Sequence, residues 1–393
     1  MNACNKYKST TSFLINKNFV SEDYKYHDIL SLENFKKVQK EIIDWQNYKA
    51  TPLHSLDSLA LKVGVNKIYY KDEHHRFGLK SFKALGGAYA VARLLIEELK
   101  KKGIDANSKD LIDRTYYPIT KEITVSCATD GNHGKSVAWG ANMFGCKCEI
   151  FIHSLVSENR KNEIEKFGAN VTRIDGNYDD SVKIASETAK EKKYFVISDT
   201  SYEGYTEIPK NVMQGYTVMV NEALEQMKEK PTHIFLQGGV GGMAAAVVSF
   251  CQEIYGKDSP KFIIVEPKNA DCLFQSAKQG KPAVVEGQLE TIMAGLSCGE
   301  VSLLAWDILK NSIFAFVTVE DDCIAPTMQL LANNETPIIA GESGVAGLAG
   351  FLIIANDEEN RKQLGIDKNS KILFFGTEGD TDTQMYKKLI SQS

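Results

Sequence analysis

Three segments of this 393-residue chain carry side chains and spacings that could do chemistry. Lys83 stands in Ser81-Phe82-Lys83-Ala84-Leu85-Gly86-Gly87, where Ser81 is placed to cap a helix and put Lys83 in its first turn. A cation there opposes the helix dipole, unless its nitrogen is a neutral imine or an anion sits opposite. A Schiff-base lysine satisfies that condition; a plain surface lysine is the other reading. Gly238-Gly239-Val240-Gly241-Gly242 follows an apolar run and precedes an Ala/Val-rich helix, an order that aims backbone N–H groups at a phosphate. A structural tight turn would use the same glycines. A dinucleotide fingerprint fits only in part, with Ala244 at the third glycine's place and Glu266 near the end of the next strand, and no nucleotide P-loop occurs. The third segment is Ser126-Cys127-Ala128-Thr129-Asp130-Gly131-Asn132-His133-Gly134. Its carboxylate suits proton transfer, or the cap of a helix starting near Gly134.

These segments need strands and helices to hold them. Apolar β-branched runs at 67–71, 123–127, 149–152, 170–174, 194–197, 233–236, 261–265, 315–319 and 371–375 predict strands. Helical patterns lie between them, for instance at 82–102, 134–144, 158–167 and 213–227. Strand–helix alternation of this kind predicts an α/β protein with parallel-rich open sheets flanked by helices, and nine strands fit two domains better than one. Lys83 and the 238–242 loop lie 155 positions apart, and if both serve one site the domains are nested rather than serial. The expectation is a large domain from 1–88 and 206–393 and a small inserted one from 89–205.

Composition narrows the class. With 43% hydrophobic and 25% charged residues, and 46 basic against 51 acidic, the chain is neither a disordered tail nor a basic nucleic-acid binder. The longest apolar candidate, around 345–355, is too short for a membrane span, and the first residues lack a signal-peptide layout, so a cytoplasmic protein is expected. Cys4, Cys127, Cys146, Cys148, Cys251, Cys272, Cys298 and Cys323 show no metal-site spacing, and no metal is expected; if any two meet in space, Cys272 with Cys298 is the candidate. His74-His75 reads as a polar loop after a strand.

Together the three segments resemble the fold type II pyridoxal-phosphate enzymes, the tryptophan-synthase-β and threonine-dehydratase group, and within it the diaminopropionate ammonia-lyase family. The resemblance runs from about residue 50 to 386. It includes Arg76-Phe77-Gly78-Leu79, Met213-Gln214-Gly215-Tyr216, Val265-Glu266-Pro267, Thr291-Ile292-Met293-Ala294-Gly295-Leu296 and Thr377-Glu378-Gly379-Asp380. It implies that Lys83 holds pyridoxal phosphate as a Schiff base and acts as the base at Cα of the L-isomer. It gives Gly238, Gly239, Val240, Gly241 and Gly242 the phosphate, Asn132 the ring hydroxyl oxygen and Thr377 the pyridine nitrogen. Asp130 would face a second substrate ammonium and take the Cα proton of the D-isomer. Asp199 would help hold the ammonium, and Thr129, Gly131 and His133 the substrate carboxylate. The implied reaction is elimination of ammonia from 2,3-diaminopropionate, through 2-aminoacrylate to pyruvate and a second ammonia, in a homodimer whose domains close over the substrate. A serine or threonine dehydratase of the same fold, an NAD oxidoreductase and a non-catalytic binding protein are the competing readings. Two residues depart from the family pattern: Gln237, where a smaller residue is usual, and Gly376, where serine is common.

Overall fold

A computed structural model of the chain describes residues 11–129, 131–154, 156–176 and 178–391. Two compact units emerge. One comprises the described residues of Met1–Leu32, Ala50–Lys80 and Met219–Ser393; the other comprises Glu33–Lys49 and Ser81–Val218. Relative to the nested division expected above, the joints fall at 80/81 and 218/219, and the segment Glu33–Lys49 goes with the smaller unit. That segment is tied there by Trp45, whose ring packs 5.4 Å from Phe144 and 6.0 Å from Trp139. No run of polar or glycine-rich residues marks these joints.

The strands are β1 (Phe13–Ile15), β2 (Leu53–Ser55), β3 (Lys67–Asp72), β4 (Thr124–Ala128), β5 (Lys147–Ile152), β6 (Asn170–Arg173), β7 (Phe195–Val196), β8 (His233–Gln237), β9 (Lys261–Pro267), β10 (Ala315–Val319) and β11 (Lys371–Gly376). The first unit holds a seven-stranded sheet in the order β1-β10-β9-β8-β11-β3-β2, parallel from β10 to β3, with antiparallel edges at β1 and β2. The second holds an all-parallel sheet, β6-β5-β4-β7. Every residue of β8 and β10 is buried, as strands covered on both faces must be, which is why their sequences read as unbroken apolar runs. The apolar stretch near 345–355 is a buried helix, Ala346–Ala355, whose Phe351 ring packs 5.3 Å from Phe235 and 5.4 Å from Phe374. Among the described residues no helix is long and apolar enough to cross a membrane.

Five helices position the candidate residues: α1 (Lys83–Lys100), α2 (Asn132–Phe144), α3 (Glu207–Met227), α4 (Gly242–Tyr255) and α5 (Cys272–Gln279). Small residues let α1 lie close to its neighbours. A side chain at Gly87 would strike Ser136 Oγ at 1.9 Å, and one at Gly86 would strike the Tyr216 ring at 2.5 Å and Val212 O at 2.7 Å. The glycines of the Lys83 motif therefore fix how α1 packs on α2 and α3.

A buried charge network braces the chain just before Lys83. Arg76, with no exposure, forks onto two carboxylates: Nε and Nη2 donate to Glu73 at 2.8 and 2.9 Å, and Nη1 and Nη2 donate to Glu222 at 2.8 and 2.7 Å. Lys71 adds a second buried cation, 2.7 Å from Glu222, and also donates to Thr51 O at 2.7 Å and Gln226 at 2.9 Å. Burial alone would raise the Glu222 carboxyl, but Arg76 and Lys71 hold it well below the usual range, so Glu222 stays ionised. Removing one member would strand the others in a dry interior. The segment it anchors turns through positive φ at Phe77 (51°) and Lys80 (61°), conformations uncommon outside glycine.

Candidate active site

The lysine region belongs to the second unit. Phe82 occupies the cap position of α1 without a side-chain bond, while Ser81 Oγ, one residue earlier, accepts from the Lys83 N–H at 3.3 Å. Lys83 therefore opens the helix, as its sequence context predicted. Its Nζ donates to Asp199 Oδ2, and both side chains are only 20% exposed. Nζ lies 5.6 Å from the Phe82 ring centroid and 5.9 Å from that of Tyr216, and the two rings pack 4.5 Å apart. Burial would raise the Asp199 carboxyl, but the Lys83 ammonium outweighs it and holds Asp199 well below the usual carboxylate range. The segment carrying Asp199 is fixed by Tyr205, whose hydroxyl accepts from Ser198 N at 3.0 Å and donates to Val196 O at 2.8 Å. Lys83 thus has the anion that its unfavourable place at a helix N-terminus requires.

The loop after β4 is shaped by glycine and threonine. Thr129 Oγ1 accepts from the N–H groups of Gly131 and Gly134, each at 3.1 Å. Gly131 has φ 154°, and a side chain at Gly134 would strike Thr129 at 2.3 Å. Asn132 is the first residue of α2, half-buried at the mouth of the turn. His133 is buried, and burial lowers its pKa; Nε2 lies 2.8 Å from the Ile197 carbonyl. A carbonyl only accepts, so the proton sits on Nε2 and Nδ1 carries a lone pair. The imidazole's one N–H is committed to Ile197, so the His133 side chain has no further donor for an anion. Asp130 lies outside the described residues.

The glycine loop belongs to the first unit. Gly239 and Gly241 take φ 62° and 97°, which only glycine adopts readily, and Gly241 caps α4 without any side-chain bond. The first N–H groups of α4 therefore lack a side-chain cap, at the carboxyl end of a parallel strand, where α/β sheets bind ligands. A side chain at Gly238 would strike Glu266 Cγ at 2.3 Å, so the loop lies directly on that carboxylate side chain. The loop contains no lysine or arginine, which leaves backbone N–H as its means of holding an anion.

Thr377, 5% exposed, follows β11. The two departures from the family pattern explain each other here. A side chain at Gly376 would strike Tyr70 at 2.2 Å, and Tyr70 OH donates to Gly344 O at 3.1 Å. Gln237 Nε2 donates to the same Gly344 O at 3.0 Å and to Phe375 O at 2.7 Å. Tyr70 fills the space that a side chain at 376 would need, and Gln237 ties three segments through the carbonyls it reaches. Glu378 adds a further tie, accepting from Ser343 N at 3.0 Å, while Ser343 Oγ accepts from Gly295 N at 3.1 Å. The resembling motifs 291–296 and 377–380 are therefore linked through 343.

None of the seven described cysteines, Cys272 and Cys298 among them, is joined in a disulfide, and no group of three metal-ligating side chains occurs among the described residues. Sequence reasoning passed over the bracing roles of Arg76, Tyr70 and Glu266. Arg76 and Glu266 were visible only as motif members; no local pattern signals Glu222, 146 positions from Arg76, or the Gly238 loop that rests on Glu266.

A family model described as pyridoxal-phosphate dependent enzyme matches residues 45–376. The chain is 40% identical over 353 residues to the diaminopropionate ammonia-lyase of Escherichia coli (strain K12), which covers 87% of each chain. The crystal structure of the selenomethionine-incorporated holo enzyme from Escherichia coli superposes with a TM-score of 0.90 at 36% identity, covering 97% of each chain. That enzyme in complex with an aminoacrylate-PLP azomethine reaction intermediate gives 0.89 at 36% identity over 98% of each.

Proposed function

Because the chain belongs to the pyridoxal-phosphate-dependent enzymes, we propose that it is an ammonia-lyase eliminating the β-amino group of 2,3-diaminopropionate, in both the D and L forms. The observation that carries the reading is the Lys83–Asp199 pair at the start of α1: a partly buried lysine held beside a carboxylate that stays ionised. Support comes from the likeness over most of the chain to an enzyme of that activity, and from a loop that offers only backbone donors to a phosphate.

The residues present fit pyridoxal phosphate. The Gly238–Gly242 loop offers uncapped N–H groups for its phosphate, Lys83 an amine for its aldehyde, Asn132 an amide for its ring hydroxyl and Thr377 a hydroxyl for its pyridine nitrogen. When bound, the cofactor supplies the electron sink that makes a Cα proton acidic. A hydroxyl at 377, in place of a carboxylate, does not protonate the ring nitrogen, which favours elimination.

Lys83 Nζ takes the Cα proton of the L-isomer and Asp130 that of the D-isomer, from the opposite face. Asp199 bonds the Lys83 ammonium in the cofactor-free chain; with that amine taken up by the cofactor's aldehyde, Asp199 would be left to accept from a substrate ammonium. Two carboxylates, Asp130 and Asp199, select for a substrate with two amino groups. The β-amino group leaves as ammonia, and 2-aminoacrylate hydrolyses to pyruvate and a second ammonia.

Pyruvate release from D- and L-2,3-diaminopropionate and from D- and L-serine tests the reading. The expected kcat/KM is at least about tenfold higher for the diamino acids, because serine leaves a buried carboxylate without its cation. Equal or faster turnover of serine would make the protein a dehydratase.

A further inference from the structure

Glu266 is a fully buried carboxyl that the reaction above does not use. It is the next-to-last residue of β9, directly beneath the glycine loop: Gly238 N donates to Val265 O at 2.9 Å, and a side chain at Gly238 would strike Glu266 Cγ at 2.3 Å and Oε1 at 2.9 Å. Its two oxygens accept from the N–H groups of Leu273 (3.0 Å) and Phe274 (2.7 Å) in the first turn of α5, and Cys272 Sγ lies 3.9 Å from Oε1. The same thiol donates to Gly239 O at 3.4 Å, so one cluster joins Glu266, α5 and the loop. The groups that face it are the Asp271 carboxyl and the Cys272 thiol from α5, the Cys298 thiol beyond Cys272, and the loop and β10, which bring no titratable side chain to it. Its nearest charged neighbour in this set is thus another carboxyl.

We propose that Glu266 is a proton-carrying positioning residue for the phosphate loop: a phosphate monoester dianion held by Gly238–Gly242 keeps this carboxyl protonated, so that binding the phosphate takes up a proton. Two arguments meet here. Gly238 rests on the carboxyl, so a charge in the loop and a charge on Glu266 face each other across one layer of backbone, with no cationic side chain in the loop to separate them. Burial outweighs the N–H groups of Leu273 and Phe274, which favour the ionised form, and has pushed Glu266 up to about 8, with Asp271 adding to the rise; a second negative group nearby pushes it further. The sign follows from linkage. The raised group is neutral below pH 8 and ionises above it in the unliganded protein, whereas the liganded protein holds the proton. Phosphate affinity is therefore full below pH 8 and falls above it, approaching tenfold per pH unit.

This proposal rests on the reading that the loop binds the cofactor's phosphate. The probe is pyridoxine 5′-phosphate, which has the phosphate but no aldehyde, so bond formation at Lys83 drops out. Its affinity for the cofactor-free full-length chain is measured at pH 7 and pH 9 in the wild-type protein and in Glu266→Gln. The wild type is expected to weaken about tenfold more than the variant between the two pH values. Equal pH dependence in the two proteins overturns the proposal. If Glu266→Gln does not fold, calorimetry of the wild type at pH 9 in buffers of different ionisation enthalpy decides: uptake of about one proton per ligand bound supports it, and none overturns it. Failure of the wild-type protein to bind pyridoxine 5′-phosphate at any pH removes the loop reading itself, and this inference with it.

Discussion

Lys83→Ala is expected to yield a folded protein that gains no visible absorption from added pyridoxal phosphate and whose pyruvate production falls by about 10⁴-fold or more. The wild-type band, by contrast, should disappear on borohydride reduction with the cofactor left bound to Lys83. The size of the loss follows from the two duties assigned to one nitrogen, as the attachment point and as the proton acceptor at Cα. The fold should survive because the side chain is a fifth exposed and α1 is held by Gly86 and Gly87 against α3 and α2, not by the ammonium. Lys83→Arg should be no better than alanine, since a guanidinium does not form the same imine at neutral pH. A second consequence concerns Asp199. The lysine is what keeps its buried carboxyl ionised, so in the alanine variant the Asp199 pKa moves up toward and past its usual value. Carbon-13 NMR of labelled aspartate would register that rise. An alanine variant that keeps its colour would refute the assignment of Lys83.

Asp130→Ala is expected to cut kcat for D-2,3-diaminopropionate by about 10²–10⁴-fold and to leave the L-isomer within severalfold of the wild type. The asymmetry is the test, because a carboxylate that only shaped the loop, or only attracted the diamino substrate, would affect both isomers alike. Asp130 itself lies outside the described residues, but its neighbours show what the substitution would and would not disturb. Thr129 Oγ1 already supplies the acceptor for Gly131 N and Gly134 N, so the turn does not depend on the Asp130 carboxylate for those two bonds. Asp130→Asn keeps the shape and removes the base, and should reproduce the alanine result. Parallel losses for the two isomers would end the two-base mechanism.

Much of this architecture can be read from the chain, and the exceptions share a cause. All nine expected strands are present: β8 and β10, buried along their whole length, announce themselves as unbroken apolar runs, whereas β6 and β7 are at most half-buried and are marked by their β-branched and aromatic residues. β1 and β2 escape notice because each is three residues long and sits at a sheet edge, where one neighbour suffices. α3 starts at Glu207, six residues before the helical pattern at 213–227, and takes Pro209 into its first turn, where a helix tolerates it. At the site, Lys83 and the glycine loop were legible since their chemistry depends on local order along the chain. The bracing residues were not. Gln237 reaches Gly344, Arg76 reaches Glu222, and Tyr70 dictates glycine at 376. Nor could the sequence assign the His133 proton, which an Ile197 carbonyl 64 positions away draws to Nε2.

The strand order also has a consequence for how the protein is made. β3 lies near the start of the chain, yet its parallel neighbour is β11, with Ile68 opposite Ile372. Between them are the whole of Ser81–Val218 and most of the large sheet. At about 5–20 residues per second, roughly 300 residues take about 15–60 s to synthesise, and for that time β3 has only the short β2 to pair with. Its buried face, with Ile68 and Tyr70, waits without its final cover, as does the side of β8 that will receive β11. The second unit needs nothing beyond Val218 for its own sheet. Ribosome-bound chains stalled near residue 340 should therefore show a protease-resistant second unit beside a first unit that is still readily cut, so the cell's exposure to aggregation is set by the delay before the last strand arrives.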